Sequence, residues 1–240
     1  MWSGAFDPSF EGLCADLVDA SALLEAGEPD VLATTTVQSN GEVSWFDVTN
    51  PADLPLALSV RDCDTANTTV FTSSTLVPGS HPGDLVAWVV TMEVLSRFQD
   101  GVELAGYTGD PLRAAGLFFG FVREDSATEM PIRDAVVSCT AGAGCQPSNV
   151  FYLDPSPATP EQSATDQGVF TSGTLANGDI VKNAETSSQA GAAFLVPAAP
   201  VADYTADDGG AHGFGVVRAG ADPDGGSAVL GVIYGSPAAR

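Results

Sequence analysis

Two histidines and four cysteines hold most of the reactive chemistry available to this chain: His81 and His212, then Cys14, Cys63, Cys139 and Cys145. A hydrolase built on a nucleophile and a base would have to recruit one of the histidines, because imidazole is the usual base near neutral pH. Both lie in glycine-rich contexts, "GSHPGD" and "GGAHGFG", and neither has a recognisable nucleophile or oxyanion arrangement beside it. No G-x-S-x-G elbow, H-E-x-x-H zinc helix or G-x-x-x-x-G-K-[ST] phosphate loop occurs in the sequence. With 31 acidic residues, a carboxylate pair for glycoside hydrolysis can be drawn almost anywhere, so no such pair counts as evidence. The expectation is a chain with no catalytic residue and no cofactor.

The cysteines point to cross-links. The segment "CTAGAGC" separates Cys139 from Cys145 by five small or flexible residues, enough slack for the two thiols to meet without strain. Cys14 and Cys63 flank a β-like stretch and form the second pair by elimination. A four-cysteine zinc site is the competing reading. Such sites use close C-x₂₋₄-C pairs, and only Cys139 and Cys145 come near that spacing. Disulfides are favoured and imply an oxidising compartment: extracellular, periplasmic or at the cell surface. The opening "MWSGAFDPSFEGLCADLVDA" has neither the basic start nor the apolar core of a signal peptide, and Glu11 spoils "FEGLC" as a lipid-attachment box. A leader removed upstream is the expectation. No apolar run reaches the length needed to span a bilayer.

Two acidic turns invite a calcium reading, Asp207-Asp208-Gly209-Gly210 and Asp222-Pro223-Asp224-Gly225-Gly226. An EF-hand loop beginning at Asp222 would place Gly226 at its fifth position and Ile233 at its twelfth, where oxygen ligands are required. Asp-Gly hairpin turns account for both segments, and no metal is expected. The net charge of −23 and the single lysine, Lys182, set nucleic acid and anionic membranes aside, since both associations draw on Lys and Arg. Lys182 beside Asn183 does not resemble the Lys-Asn isopeptide motif of pilin-type sandwich domains and reads as a surface lysine.

The elements that must hold these residues are mostly strands. Charged residues make up 16 % of the chain beside 26 glycines and 16 prolines, a balance suited to short strands and many turns. "TTTVQ" and "EVSWFDV" are β-branched and aromatic runs separated by Ser39-Asn40-Gly41, a hairpin signal because Asn-Gly tolerates positive φ. "LALSV" alternates as a half-buried strand does, and the first block reads as a small β-sandwich. From Leu85 the period changes: Leu85, Trp88, Val89, Met92, Leu95 and Phe98 share one helical face, with Asp84 as N-cap and Gly101 as the stop. Near the C-terminus, Val229 to Tyr234 is apolar on both faces, which suits a central strand.

The second block resembles a known family. Gly120-Phe121-Val122, then "MPIRDAVVSC" from Met130 to Cys139, then "ATDQGVFTSGTLANGD" from Ala164 to Asp179, are similar to the carboxypeptidase regulatory-like domains. The resemblance covers Leu117 to Val181. It departs from the family pattern at Asp134, where glycine is common, and after Gly178, where no clear G-x-Y follows. It implies an antiparallel, transthyretin-like (prealbumin-like) β-sandwich. Read from its residues alone, Asp166-x-Gly168-x-Phe170 is a turn: the carboxylate accepts a local backbone N–H, Gly168 supplies positive φ, and Phe170 returns to the core.

The fold expected is mainly β: two antiparallel sandwiches of transthyretin or immunoglobulin type, residues 1–78 and 116–240, joined by a helical connector at 79–115. The segment from Cys139 to Ser163, with a "VFYLDP" strand and then "SPATPEQS", too rich in Pro and Ser to hold one, reads as a surface excursion, and loops of that kind are where binding tends to reside. Phe151, Tyr152 and Trp45 are the candidate binding residues. The expected role is structural or interactive, through an unknown protein or cell-envelope partner. A carbohydrate-binding module is the alternative, with glycan as partner, and an unrecognised hydrolase comes third.

Overall fold

The computed structural model describes residues 10–25, 29–45, 54–64, 68–77, 87–104, 106–125, 130–132, 135–140, 149–153, 180–182, 193–222 and 224–238. Strands dominate. They are β1 (Cys14–Asp19), β2 (Val31–Thr36), β3 (Leu56–Arg61), β4 (Val70–Leu76), β5 (Val90–Thr91), β6 (Leu117–Glu124) and β7 (Val136–Cys139). Then follow β8 (Phe151–Leu153), β9 (Ile180–Lys182), β10 (Ala193–Pro197), β11 (Ala202–Asp207), β12 (His212–Phe214), β13 (Val217–Ala219) and β14 (Ser227–Pro237). Two helices, α1 (Met92–Leu104) and α2 (Leu112–Ala115), lie between β5 and β6.

One large sheet runs through both halves of the sequence, in the order β2-β1-β3-β4-β14-β6-β10-β8-β9. A smaller sheet has the order β13-β11-β7. The expected division into a sandwich at 1–78 and another at 116–240 therefore has no counterpart in the hydrogen bonding: β4 from the first block pairs with β14 from the last. The expected all-antiparallel pairing also gives way at the centre, where β14 runs parallel to both β4 and β6. The cause lies in β14 itself. With apolar side chains on both faces it needs cover on both, which a buried parallel centre supplies and a half-wet antiparallel edge does not. "LALSV" is corrected as well: as β3 it lies between β1 and β4, antiparallel to both, and Ala57 through Val60 are all buried.

The two faces of the large sheet take different cover. Leu117, Phe119 and Phe121 of β6 point to one side, where they meet Leu95, Phe98 and Val102 of α1. Phe118 and Val122 point to the other, where they meet Tyr204, Ala206 and Val137 of the small sheet. The alternation along β6 is what allows one strand to serve two cores. Each large apolar side chain removed from water contributes about 1.5–3 kcal/mol.

The helix begins later than its period predicts. Trp88 and Val89 precede it, and Val90 and Thr91 pair with Phe71 and Val70 as β5, because Val89-Val90-Thr91 is a β-branched run. Thr91 is the cap, its hydroxyl accepting the Val94 N–H at 3.2 Å. Asp84 and Leu85 lie outside the described residues. Gly101 sits inside the helix, and Gly106, at φ 97°, ends it. There the Tyr107 N–H reaches the Val102 carbonyl at 2.8 Å and the Gly106 N–H reaches that of Glu103 at 2.9 Å, a Schellman arrangement.

The turn expected at Ser39-Asn40-Gly41 is present. Gly41 has φ 83°, its N–H donates to the Gln38 carbonyl, and the Asn40 side chain accepts the Glu42 N–H at 3.0 Å. It does not lead into a returning strand among the described residues. The chain from Glu42 to Trp45 is irregular, and β2 pairs with β1 instead. The Thr165-Asp166-Gln167-Gly168-Val169-Phe170 turn lies outside the described residues.

Candidate functional site

A disulfide joins Cys14 to Cys63, with Cα atoms 4.9 Å apart across a sequence separation of 49. It ties the first residue of β1 to the chain just beyond β3. Asp62, next to Cys63, is buried and secures the same corner: its Oδ2 accepts the N–H groups of Thr68 at 2.6 Å, Thr69 at 2.8 Å and Val70 at 3.4 Å. Burial alone would raise the Asp62 carboxyl, but those backbone donors outweigh it and hold the group below the ordinary aspartate range. Cys139, at the end of β7, is also disulfide-bonded. Its expected partner, Cys145, lies outside the described residues.

Of the two histidines, His212 is described. Its Nδ1 lies 2.5 Å from Asp208 Oδ2, while Asp208 Oδ1 accepts the N–H groups of Ala211 and His212 at 3.0 Å each. An aspartate holding one imidazole nitrogen is half of a catalytic dyad, and a nucleophile would have to supply the other half. Among the described residues, Asp208 is the only hydrogen-bond partner of the His212 ring. The pair instead closes the acidic turn between β11 and β12, with the Gly209 N–H reaching Asp207 Oδ1 at 2.9 Å.

The second acidic turn behaves alike. Asp222 Oδ1 accepts the Asp224 N–H at 2.9 Å, Asp222 Oδ2 accepts the Ser227 hydroxyl at 3.2 Å, and Gly225 and Gly226 follow at φ 74° and 75°. Both carboxylates are thus engaged by their own turn. No group of three or more His, Cys, Asp or Glu that could hold a metal ion occurs among the described residues.

The three aromatic candidates do not form a platform. Phe151 and Tyr152 are 1 % and 2 % exposed, on opposite faces of β8, so neither ring offers a surface to a ligand. Phe151 packs in the α1 core, its ring edge-on to Tyr107 at 6.2 Å. Tyr152 lies in the other core and accepts the Val137 N–H on its hydroxyl at 2.8 Å. Burial pushes its phenol up to about 12. The strand expected in "VFYLDP" is present as β8, between β10 and β9 of the large sheet, but the burial of Phe151 and Tyr152 corrects the expectation that this part of the segment lies at the surface. Trp45 is half-buried against the cluster of Leu13, Leu58 and Val60, and its buried indole N–H has no acceptor among the described residues.

Between α1 and the large sheet lies a cavity of about 30 Å³ lined by Trp88, Val94, Phe98, Phe119, Phe121 and Leu230. It has room for a water or two, and its lining is apolar. Trp88 is held over it by its own backbone N–H, which donates to Thr75 Oγ1 at 3.0 Å, and its ring centroid stands 4.9 Å from that of Phe121.

Sequence reasoning missed the outer edge of the large sheet. Among the described residues β2 ends the strand order, with Val31, Thr34 and Thr36 exposed and Leu32, Ala33 and Thr35 half-buried. The signal was available in the uncharged, β-branched run "VLATTT".

No family model matches the chain. No curated protein matches it either. Among solved structures it is weakly similar to the shaft pilin SpaA from Lactobacillus rhamnosus GG, at 13 % identity and a TM-score of 0.27, covering 96 % of this chain and 89 % of that one. A mutant of the same pilin gives 12 % identity and a TM-score of 0.25, over 96 % of this chain and 95 % of that one. No helix among the described residues is long and apolar enough to cross a membrane.

Proposed function

We propose that this is a non-catalytic, exported or cell-surface β protein whose role is structural or one of protein interaction. The observation that carries the reading is the Cys14–Cys63 disulfide, since structural disulfides form and persist in oxidising compartments. The engagement of His212 by Asp208 within a turn supports it, because a base needs a partner nucleophile and, among the described residues, the His212 ring bonds only to Asp208. The burial of Phe151 and Tyr152 speaks against the carbohydrate-binding alternative, which needs exposed rings. The resemblance of Leu117 to Val181 to the carboxypeptidase regulatory-like domains belongs to the same proposal, with β6, β8 and β9 as part of the one large sheet rather than of a separate unit. In support, Gly120-Phe121-Val122 lies in β6, and Ala135 precedes β7 in the second motif.

Peptide mapping under non-reducing conditions, on protein alkylated in its native cells before lysis, tests this. The expected result is Cys14 linked to Cys63 and Cys139 to Cys145. Four alkylated thiols, or one bound zinc, would overturn both the pairing and the compartment. Replacing Cys14 and Cys63 together by alanine is expected to cost about 2–4 kcal/mol in denaturant titration, because the link closes a long loop.

A further inference from the structure

Among the described residues, strand β2 has no partner along its outer side from Val31 to Thr36; beyond it, the outward Gln38 N–H is taken by the Glu42 carbonyl at 3.0 Å. Val37 exchanges hydrogen bonds with the β1 side, its N–H donating to the Leu13 carbonyl and its carbonyl accepting the Gly12 N–H, both at 2.9 Å. Hydrogen-bonded and non-bonded pairs alternate along an antiparallel ladder. Thr35 and Ala33 therefore turn their backbone groups inward, opposite Ala15 and Leu17, while Thr34 and Thr36 turn theirs outward. A bulge at Leu32, where the register slips between Leu17 and Val18, confines the regular open edge to Ala33–Thr36.

Edge strands are usually blunted by lysine, proline or an inward charge. Val31 to Thr36 contains none of these. The charges near its ends are all of one sign and exposed: Asp30 before the strand, Glu11 ahead of the Gly12 that bonds Val37, and Glu42 beyond the turn, whose carboxylate accepts the Asn40 side-chain amide at 2.7 Å. The only cation in β1, β2 and β3 is Arg61, whose Nε donates to Asp16 Oδ2 at 2.7 Å. A neutral, β-branched edge between acidic ends fits an extended strand that is neutral in its middle and basic at its ends. A second copy of the chain would bring another net charge of −23 to the contact and is disfavoured electrostatically.

We infer that the outer edge of β2 takes an extended segment of a basic protein partner as an added strand, hydrogen-bonded to Thr34 and Thr36. This deepens the interaction reading above, resting on it only in taking the partner to be a protein.

The test uses the full chain and a fluorescent peptide of alternating threonine and valine flanked by lysines. Binding is expected, weakened by salt, with slowed amide exchange at Thr34 and Thr36. The same peptide flanked by glutamates should bind at least about ten-fold more weakly. Thr34→Pro removes an outward N–H while sparing the ladder to β1, and should reduce binding to the same degree with the fold retained. Thr36→Pro is the second variant if the first fails to fold. Equal binding of the two peptides, or unchanged binding by a folded proline variant, overturns the inference. Concentration-dependent self-association that the proline variant abolishes would assign the edge to a second copy and overturn it too. Thiol mapping reads the compartment independently, so a failure of peptide binding is distinguishable from a failure of the proposed function.

Discussion

Phe194 lies directly over Gly120: the two are cross-strand partners of β10 and β6, and a Cβ on the glycine would collide with the Phe194 ring at Cζ. The ring occupies the space that a side chain at position 120 would fill, and its edge meets Phe118 at 5.4 Å. Gly120 is therefore required by space. Its φ is not among the positive values, so strain has no part in it.

Gly120→Ala should force Phe194 out of its rotamer and destabilise the protein by about 1–3 kcal/mol, the usual penalty of overpacking. Chemical denaturation measures it. The double variant Gly120→Ala with Phe194→Leu should recover part of the loss, since the smaller side chain vacates the contested space. Equal instability of the single and double variants would sink this account.

Asp208 makes stability depend on acid. Burial alone would raise its carboxyl; the hydrogen bonds and charge of His212, together with the Ala211 N–H, outweigh that and lower it. A carboxylate depressed in the folded state contributes stability that is present above its unfolded value, near pH 4, and lost as pH falls through the folded one. Melting temperature should therefore fall below about pH 4, and Asp208→Asn should flatten that fall while lowering stability near neutrality. Asp62, depressed by backbone donors, acts in the same direction, so the flattening is partial.

What is legible in the sequence is local. Asn40-Gly41 and the Asp-Gly runs announce turns because their conformational demands are satisfied within a few residues, and the two-faced hydrophobicity of Val229–Tyr234 announces a central strand. What is not legible is which strands meet. Nothing in "VFTSSTL" says that it will lie parallel to a strand more than 150 residues later, yet that pairing merges two expected domains into one sheet. The helix start is misread because Trp88 and Val89 satisfy a helical period and a β-branched strand equally well, and only the pairing of Val90 with Phe71 decides. Phe151 and Tyr152 look like surface aromatics because of the proline-rich stretch after them, whereas their burial is set by β10 and by the two layers above and below.

Tyr152 bonds the large sheet to the small one, and it offers a sharp test of that layered arrangement. Its hydroxyl accepts the buried Val137 N–H at 2.8 Å, reaching from β8 to β7. Tyr152→Phe keeps the ring and strands that N–H, at a cost of about 1–3 kcal/mol. The same phenol, raised to about 12 by burial, is unionised in the folded protein at a pH where an unfolded tyrosine has lost its proton. A group raised in this way contributes stability that is whole below the unfolded value, near pH 10, and is lost as pH rises through the folded one. Tyr204, buried in the same core, is raised further and acts in the same sense. Ultraviolet titration should thus show Tyr152 and Tyr204 ionising late and together with alkaline unfolding, with Tyr107, raised by burial and by the nearby Asp110 charge, also above the ordinary tyrosine range. Tyr152→Phe should remove one of the late groups. Four tyrosines titrating near pH 10 in a protein still folded would place Tyr152 and Tyr204 at the surface and break the proposed bond between the sheets.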